Sequence, residues 1–256
     1  MPSYKVVRIL FACYIVGLIA MHQFYTVHWM YYFIPSVLFL SYTLWGVLYP
    51  SSNVFIPTHT SKQQVDKNIA ITFDDGPSLA TIPVLDLLKR YNVKATFFCI
   101  GNHIEQYPEI FQRMVAEGHE IGNHSYNHAH IFPMSSVKTV VAEITKTNQL
   151  IEAVTGKPCR LFRPPFGVMN PSLAKAIRKC NMEVIGWNLR SFDTVIKDRD
   201  QLMNRIVERI KPGTVLLLHD NRSETGTVLD DLLKYTTTKG FHHTNVSTFF
   251  NLNANG

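Results

Sequence analysis

Polar and apolar positions divide this chain into two regimes. No Asp, Glu, Lys or Arg occurs between Arg8 and Lys62, and that gap holds two apolar runs, residues 9–21 and 29–49. From Asp66 onward, short apolar runs alternate with amphipathic ones. The short runs fall at residues 69–73, 95–100, 120–123, 160–162, 183–187 and 215–219, with a weaker one at 242–246. Helical spacing occupies residues 82–91, 104–117, 136–155, 171–180, 200–210 and 228–238. Pro171 suits a first helical turn, and Gly118 and Gly240 stand where helices stop. Such alternation predicts parallel strands joined by helical crossovers, and a run as continuously apolar as 215–218 predicts a strand covered on both faces. Nearly every strand runs directly into a polar loop: 74–77, 101–103, 124–128, 163–167, 188–193 and 219–220. Functional groups gather at the C-terminal ends of strands in α/β barrels. A barrel of about seven parallel strands is therefore favoured over an open doubly wound sheet.

The uncharged N-terminal regime predicts a membrane-anchoring segment, residues 1–61, ahead of a catalytic domain at 62–256. The 29–49 run reaches the roughly 20 residues that a membrane helix needs, and the 9–21 run falls short of it, so one or two spans are possible. Trp29, Tyr31, Tyr32, Trp45 and Tyr49 lie near the ends of the longer run, as interfacial aromatics do. A cleaved signal peptide built on Lys5, Arg8 and the first run lacks a small-x-small cleavage site and leaves the second run unexplained. Lys5 and Arg8 argue for a cytoplasmic N-terminus. One span would then put the catalytic domain outside, and two would return it.

Composition adds little more. At 256 residues and 46% hydrophobic content, the chain suffices for one full-sized domain and an appendage. Cys13, Cys99, Cys159 and Cys180 form no Cys-x-x-Cys pair, which argues against a zinc knuckle or disulfide framework. The net charge of +6 and pI near 9.1 would suit membrane lipid headgroups or an acidic polymer. No basic cluster or nucleic-acid motif is present, so ordinary solvated charge is the favoured explanation and no nucleic-acid partner is expected.

Candidate chemistry sits in the loops. Asp74 and Asp75 end the first strand, and His124-x-x-x-His128 follows another. A catalytic divalent ion commonly takes two His and a carboxylate and keeps a position open for water, which leaves one Asp free for proton transfer. The competing reading of Asp-Asp-Gly-Pro is a polar turn with a helix cap. Arg163 opens Arg-Pro-Pro-Phe-Gly, a rigid loop able to hold a guanidinium against a carboxylate and to aim a backbone N–H at an oxyanion. The alternative is a surface Arg on a plain connection. His219 emerges at the rim as a possible proton donor, with a satisfied core histidine as the alternative. Asp193 could orient it, although spacing alone does not choose Asp193 over Asp198 or Asp200.

Five segments in order resemble the NodB-homology polysaccharide deacetylases, carbohydrate esterase family four: Thr72-Phe-Asp-Asp-Gly-Pro77, His124-Ser-Tyr-Asn-His128, Arg163-Pro-Pro-Phe-Gly167, residues 187–193, and Leu216-Leu-Leu-His-Asp220. The resemblance runs from about Lys67 to the C-terminus and implies a distorted (β/α) barrel. It implies that Asp74 is the general base, that Asp75, His124 and His128 hold one divalent ion (zinc, with cobalt as an alternative), and that Arg163 orients Asp74. It also implies an oxyanion contact from the Phe166 N–H, an acyl-methyl contact from Leu217, and a general acid in His219 tethered by Asp193. The implied reaction is hydrolysis of an N-acetyl group on an acetylated glycan. The fourth segment departs from the family's Asp-x-x-Asp-Trp: Arg190 replaces the first Asp and Thr194 the Trp that walls the sugar pocket. Trp187 or Phe192 could supply that wall instead. Nothing in the sequence bears on oligomeric state.

Overall fold

The computed structural model describes residues 3–62, 66–222 and 225–252. Two long helices, α1 (Tyr4–His22) and α2 (Met30–Leu48), precede the α/β domain. The domain then runs β1 (Thr58–His59), β2 (Asn68–Asp74), α3 (Thr81–Arg90), β3 (Thr96–Cys99), α4 (Gly101–Gln106), α5 (Pro108–Ala116), β4 (Glu120–Asn123) and α6 (Val137–Thr155). It continues β5 (Leu161–Phe162), α7 (Pro171–Lys179), β6 (Glu183–Ile185), β7 (Leu189–Arg190), α8 (Arg199–Val207), β8 (Val215–His219), α9 (Thr225–Thr238), β9 (His242–His243) and α10 (Val246–Phe250). All pairings are parallel, in the order β1-β6-β5-β4-β3-β2-β8-β7, with β9 beside the start of β2. β6 and β7 stand near opposite ends of that order, yet four residue steps, a reach of at most about 15 Å, join them. The sheet must curl until its ends approach, which makes the expected distorted barrel.

Side-chain alternation sorts the strands' residues into two layers. Ile69, Ile71, Phe73, Phe97, Leu216 and Leu218 face the helices. Ala70, Phe98, Leu161, Ile185 and Val215 face the barrel interior, where Val246 and Phe249 of α10 close the N-terminal end. The same parity turns Thr72 and Asp74, Leu217 and His219 toward the axis, so the last inward residue of each strand reaches the open rim.

Some elements differ from the sequence expectation, each for a local reason. The 104–117 helix is two helices broken at Tyr107, which leaves the helical region (φ −126°, ψ 57°) because Pro108 disfavours it there. The 242–246 strand is only two residues long, because Asn245 accepts the Thr248 N–H and starts α10. The strand expected over 183–187 stops at Ile185 as β6, and a separate strand, β7, follows outside that run and bonds to a different neighbour. β1 adds a strand before Lys62, with Val54, Phe55 and Ile56 buried beside it. The four cysteines are unpaired.

α1 and α2 form an antiparallel hairpin, Phe11 stacking on Phe39 at 4.4 Å. Each has 19 residues, with mean hydropathy 1.8 and 1.4, and is long and apolar enough to cross a membrane. Pro35 deprives the Tyr31 carbonyl of its helical donor. The Tyr14 hydroxyl of α1 donates to it instead, at 3.2 Å. The hairpin's open end rests on the α/β domain: the Tyr4 N–H donates to the Val54 carbonyl (3.2 Å), and the Met169 N–H to the Val47 carbonyl (3.3 Å). At Gly46 a Cβ would stand 2.8 Å from the Val54 side chain, which only glycine avoids.

Candidate active site

Asp74 ends β2 pointing inward and buried. Asp75 adopts φ +74°, which turns the chain so that its carboxylate also meets the rim. The tight fit of the next residue, where a Cβ would lie 2.2 Å from the Asp220 carboxylate, leaves room only for glycine. After β4, the chain winds through positive φ at Ser125 and His128. Side chains hold this loop: Asn123 Oδ1 accepts the Ser125 N–H (2.8 Å), Ser125 Oγ accepts that of His128 (3.1 Å), and Glu143 accepts those of Tyr126 and Asn127. Both imidazoles consequently face Asp75.

Asp75 Oδ1 lies 3.5 Å from His124 Nε2 and 3.6 Å from His128 Nε2. The three ligand atoms lie within 4.8 Å of one another. Ligands about 2.1 Å from a shared tetrahedral centre stand roughly 3.4 Å apart, so this cluster has the spacing of a closed donor set. His124 Nδ1 donates to the Arg163 carbonyl (2.8 Å), which directs its Nε2 lone pair at the cluster. Burial pulls the His124 pKa down to about 3, so the ring is neutral and free to ligate. Two imidazoles and one carboxylate fit a divalent ion such as zinc.

Beneath the cluster, Arg163 is wholly buried. Its NH1 group donates to Asp74 Oδ1 (2.7 Å) and Thr72 Oγ1 (2.8 Å), NH2 to the Gly186 carbonyl (2.9 Å) and Nε to the Ile185 carbonyl (3.2 Å). Its guanidinium stacks over Phe98 at 4.0 Å. Burial raises the Asp74 pKa, and Arg163 opposes that rise. Opposite, Asp193 accepts the His219 N–H at Oδ2 (2.7 Å) and faces His219 Nδ1 at Oδ1 (2.8 Å), which leaves Nε2 toward the cleft. Burial pulls the His219 pKa down, but the bond to Asp193 and the charges of Asp193, Asp74 and Asp75 outweigh it and hold the pKa above its ordinary value. Asp198, the competing acid, instead caps α8 through the Gln201 N–H.

The polysaccharide deacetylase family matches residues 61–185, a stretch that includes Asp74, Asp75, His124, His128 and Arg163. A peptidoglycan-N-acetylglucosamine deacetylase of Bacillus cereus is 35% identical over 188 residues, covering 71% of this chain and 87% of that protein. The chain belongs to the polysaccharide deacetylase family. A second relative is the peptidoglycan-N-acetylmuramic acid deacetylase of Bacillus subtilis, 33% identical over 195 residues and 76% of the chain. The chain spans only about two fifths of that relative's length (41%). In fold, the chain is similar to an activity-restored mutant of a CE4 family pseudoenzyme from Bacillus anthracis, with TM-score 0.70 and 28% identity, covering 75% of this chain and 71% of that one. A pseudoenzyme among the neighbours means that activity must be argued from the residues in place.

All ten site residues expected from the sequence come together. Asp74, Asp75, His124, His128, Phe166, Trp187, Leu217 and His219 line one cleft of about 210 Å³, with Arg163 and Asp193 directly behind it. Arg190, Thr194 and Gly167 also line it and were not among the expected site residues, nor were Thr72 and Phe98, which hold Arg163. The inward parity shared by Ala70, Thr72 and Asp74 is the signal that could have found Thr72. Phe166 stands at φ +62°, its ring tilted against His128 (4.6 Å) and stacked on His130 (5.6 Å). Gly167 has φ +64°, and a Cβ there would meet Trp187 at 2.4 Å. Gly167→Ala is expected to lower stability by about 1–3 kcal/mol and to raise KM by displacing Trp187. Thermal unfolding and steady-state kinetics check this, and a variant with unchanged melting temperature and KM would refute it.

Proposed function

We propose that this chain is a membrane-anchored, divalent-metal-dependent hydrolase that removes N-acetyl groups from an N-acetylhexosamine-containing glycan of the peptidoglycan kind, polymer or precursor. The observation that carries this reading is the closed Asp75–His124–His128 donor set flanked by an arginine-paired Asp74 and an Asp193-paired His219. A divalent ion held by those three residues supplies a Lewis acid for the acyl oxygen and lowers the pKa of water toward neutrality.

The chain's own groups do the rest. Arg163 fixes Asp74 Oδ1, so the other carboxylate oxygen faces the cluster, 3.8 Å from His124 Nε2, where it can take a proton from the attacking water. Leu217, two residues before His219 on the inward face of β8, offers an apolar contact for the acyl methyl group. The Phe166 N–H, presented by the Pro164-Pro165 turn, stabilises the tetrahedral oxyanion. Asp193 accepts from His219 Nδ1 and stabilises the imidazolium, whose Nε2–H faces the cleft and protonates the departing amine.

Acetate release from chitin oligomers or peptidoglycan by the full chain, supplied with Zn²⁺ or Co²⁺, tests the reading. No turnover on any acylated sugar would refute it. Parallel N-acetyl, O-acetyl and N-formyl substrates separate the amide reading from the same mechanism on another acyl group. The general acid predicts a pH effect as well. His219 must be protonated, so activity falls as pH rises through its raised pKa. Asp193→Asn removes the anion that raises it, and the alkaline limb of kcat/KM is expected to move to lower pH. An unmoved limb would remove His219 from the acid role.

The hairpin supports a side of the membrane. Because the start of α1 and the end of α2 both rest on the α/β domain, N-terminus and catalytic domain share one side, and Lys5 and Arg8 make that side cytoplasmic. This favours a lipid-linked or soluble sugar precursor over finished wall. Protease protection of the C-terminus in intact spheroplasts is the expected result, and cleavage there would place the domain outside.

A further inference from the structure

Arg190 occupies the position where the family's pattern has an acid, and it lines the cleft beside Trp187, Thr194, Leu217 and His219. In the sheet it pairs with Leu217, one strand spacing away from the residue that would contact the acyl group. Among the described residues no carboxylate pairs with its exposed guanidinium. What the guanidinium touches is the ring of Phe192, 4.9 Å to the centroid, and a second guanidinium, Arg205, lies 4.4 Å from the same ring. Arg205 also donates to the Arg190 carbonyl (3.3 Å), which ties the strand to α8. Its Nε is buried without a partner. Phe192 holds this arrangement at φ +66°, an uncommon conformation for an aromatic residue, stabilised where its carbonyl accepts the Val195 and Ile196 N–H groups.

Two cations gathered on one ring and left without a counter-charge make a wall that favours an anion. A guanidinium fork matches the paired oxygens of a carboxylate or phosphate. Thr194, in place of a bulky aromatic, leaves space beside it.

We propose that Arg190, backed by Phe192 and Arg205, is a specificity-determining residue that selects N-acylated sugars bearing an oxyanion, carboxylate or phosphate, near the acyl group. This rests on the deacetylase reading and narrows its substrate class. The test uses the full chain in detergent micelles with Zn²⁺ and three acetate-release substrates: neutral chitotetraose, a disaccharide ending in N-acetylmuramic acid, and N-acetylglucosamine 1-phosphate with and without a prenyl tail. Wild type is expected to show kcat/KM at least tenfold higher for one anionic class than for chitotetraose, and that preference should shrink with added salt. The arm that wins identifies the carboxylate or the phosphate, and the tail comparison separates lipid-linked from free sugar. Arg190→Ala should lower the anionic-to-neutral ratio at least tenfold through KM, Arg190→Lys should restore part of it, and Arg190→Glu should reverse the preference. Equal efficiency on neutral and anionic substrates, or an Arg190→Ala effect equal on both, would overturn the selectivity while leaving the deacetylase standing. No release from any of them would overturn both.

Discussion

Asp75→Ala is expected to abolish stoichiometric binding of the divalent ion, whereas Asp74→Asn should keep the ion and lower kcat by about 10²–10⁴-fold, the usual worth of a positioned general base. The adjacent aspartates differ because the chain turns between them. Asp74 is the last inward residue of β2 and accepts a hydrogen bond from buried Arg163, which ties it to the barrel interior. Asp75, at φ +74°, swings its carboxylate to His124 and His128. Removing Asp75 leaves two imidazoles, too few for a catalytic site of three protein ligands. Asn at position 74 preserves shape and can still accept from Arg163, but it cannot take a proton. Zinc content after dialysis, read beside acetate release, checks both variants. Equal loss of metal in the two would sink the division of roles.

Much of this site was legible because its residues lie in short segments that end strands. An apolar run followed by Asp-Asp-Gly-Pro, or Leu-Leu-Leu followed by His-Asp, carries its position at the barrel rim within a few residues. Less legible were partnerships that the curl of the sheet creates. Asp193, Asp198 and Asp200 are equivalent by spacing, and only the structure shows Asp193 under His219 and Asp198 on the α8 cap. The departure at Arg190 was visible as a substitution, but its stacking with Arg205 across Phe192 joins β7 to α8 and has no local signature. β1 and β7 were missed as separate strands because two residues are too few to show period-two alternation. The hairpin was half visible: its 9–21 run was too short, and α1 reaches 19 residues by taking in Tyr4, Lys5 and Arg8 at its start.

Arg163→Met is expected to cost about 3–5 kcal/mol of stability, because it strands a buried Asp74 that has lost its counter-charge. The loss comprises several bonds at once: guanidinium contacts to Asp74, Thr72 and the Ile185 and Gly186 carbonyls, which link β2 to the β6 end of the curled sheet. Arg163→Lys should recover only part of it, since one ammonium group cannot reproduce a planar fork bonded in four directions. Catalysis should fail in a characteristic way. Burial raises the Asp74 pKa and Arg163 opposes it, so without Arg163 the pKa rises further and the base stays protonated to higher pH. The acid limb of kcat/KM therefore shifts toward higher pH in Arg163→Met, opposite in side and sense to the alkaline-limb shift of Asp193→Asn. A double variant, Arg163→Met with Asp74→Asn, removes both charges and should regain part of the lost stability while remaining inactive. Thermal unfolding of the singles and the double forms the cycle. If Arg163→Met melts like wild type, or the double melts lower than the sum of the singles predicts, the buried pair does not hold the base in the way its geometry indicates.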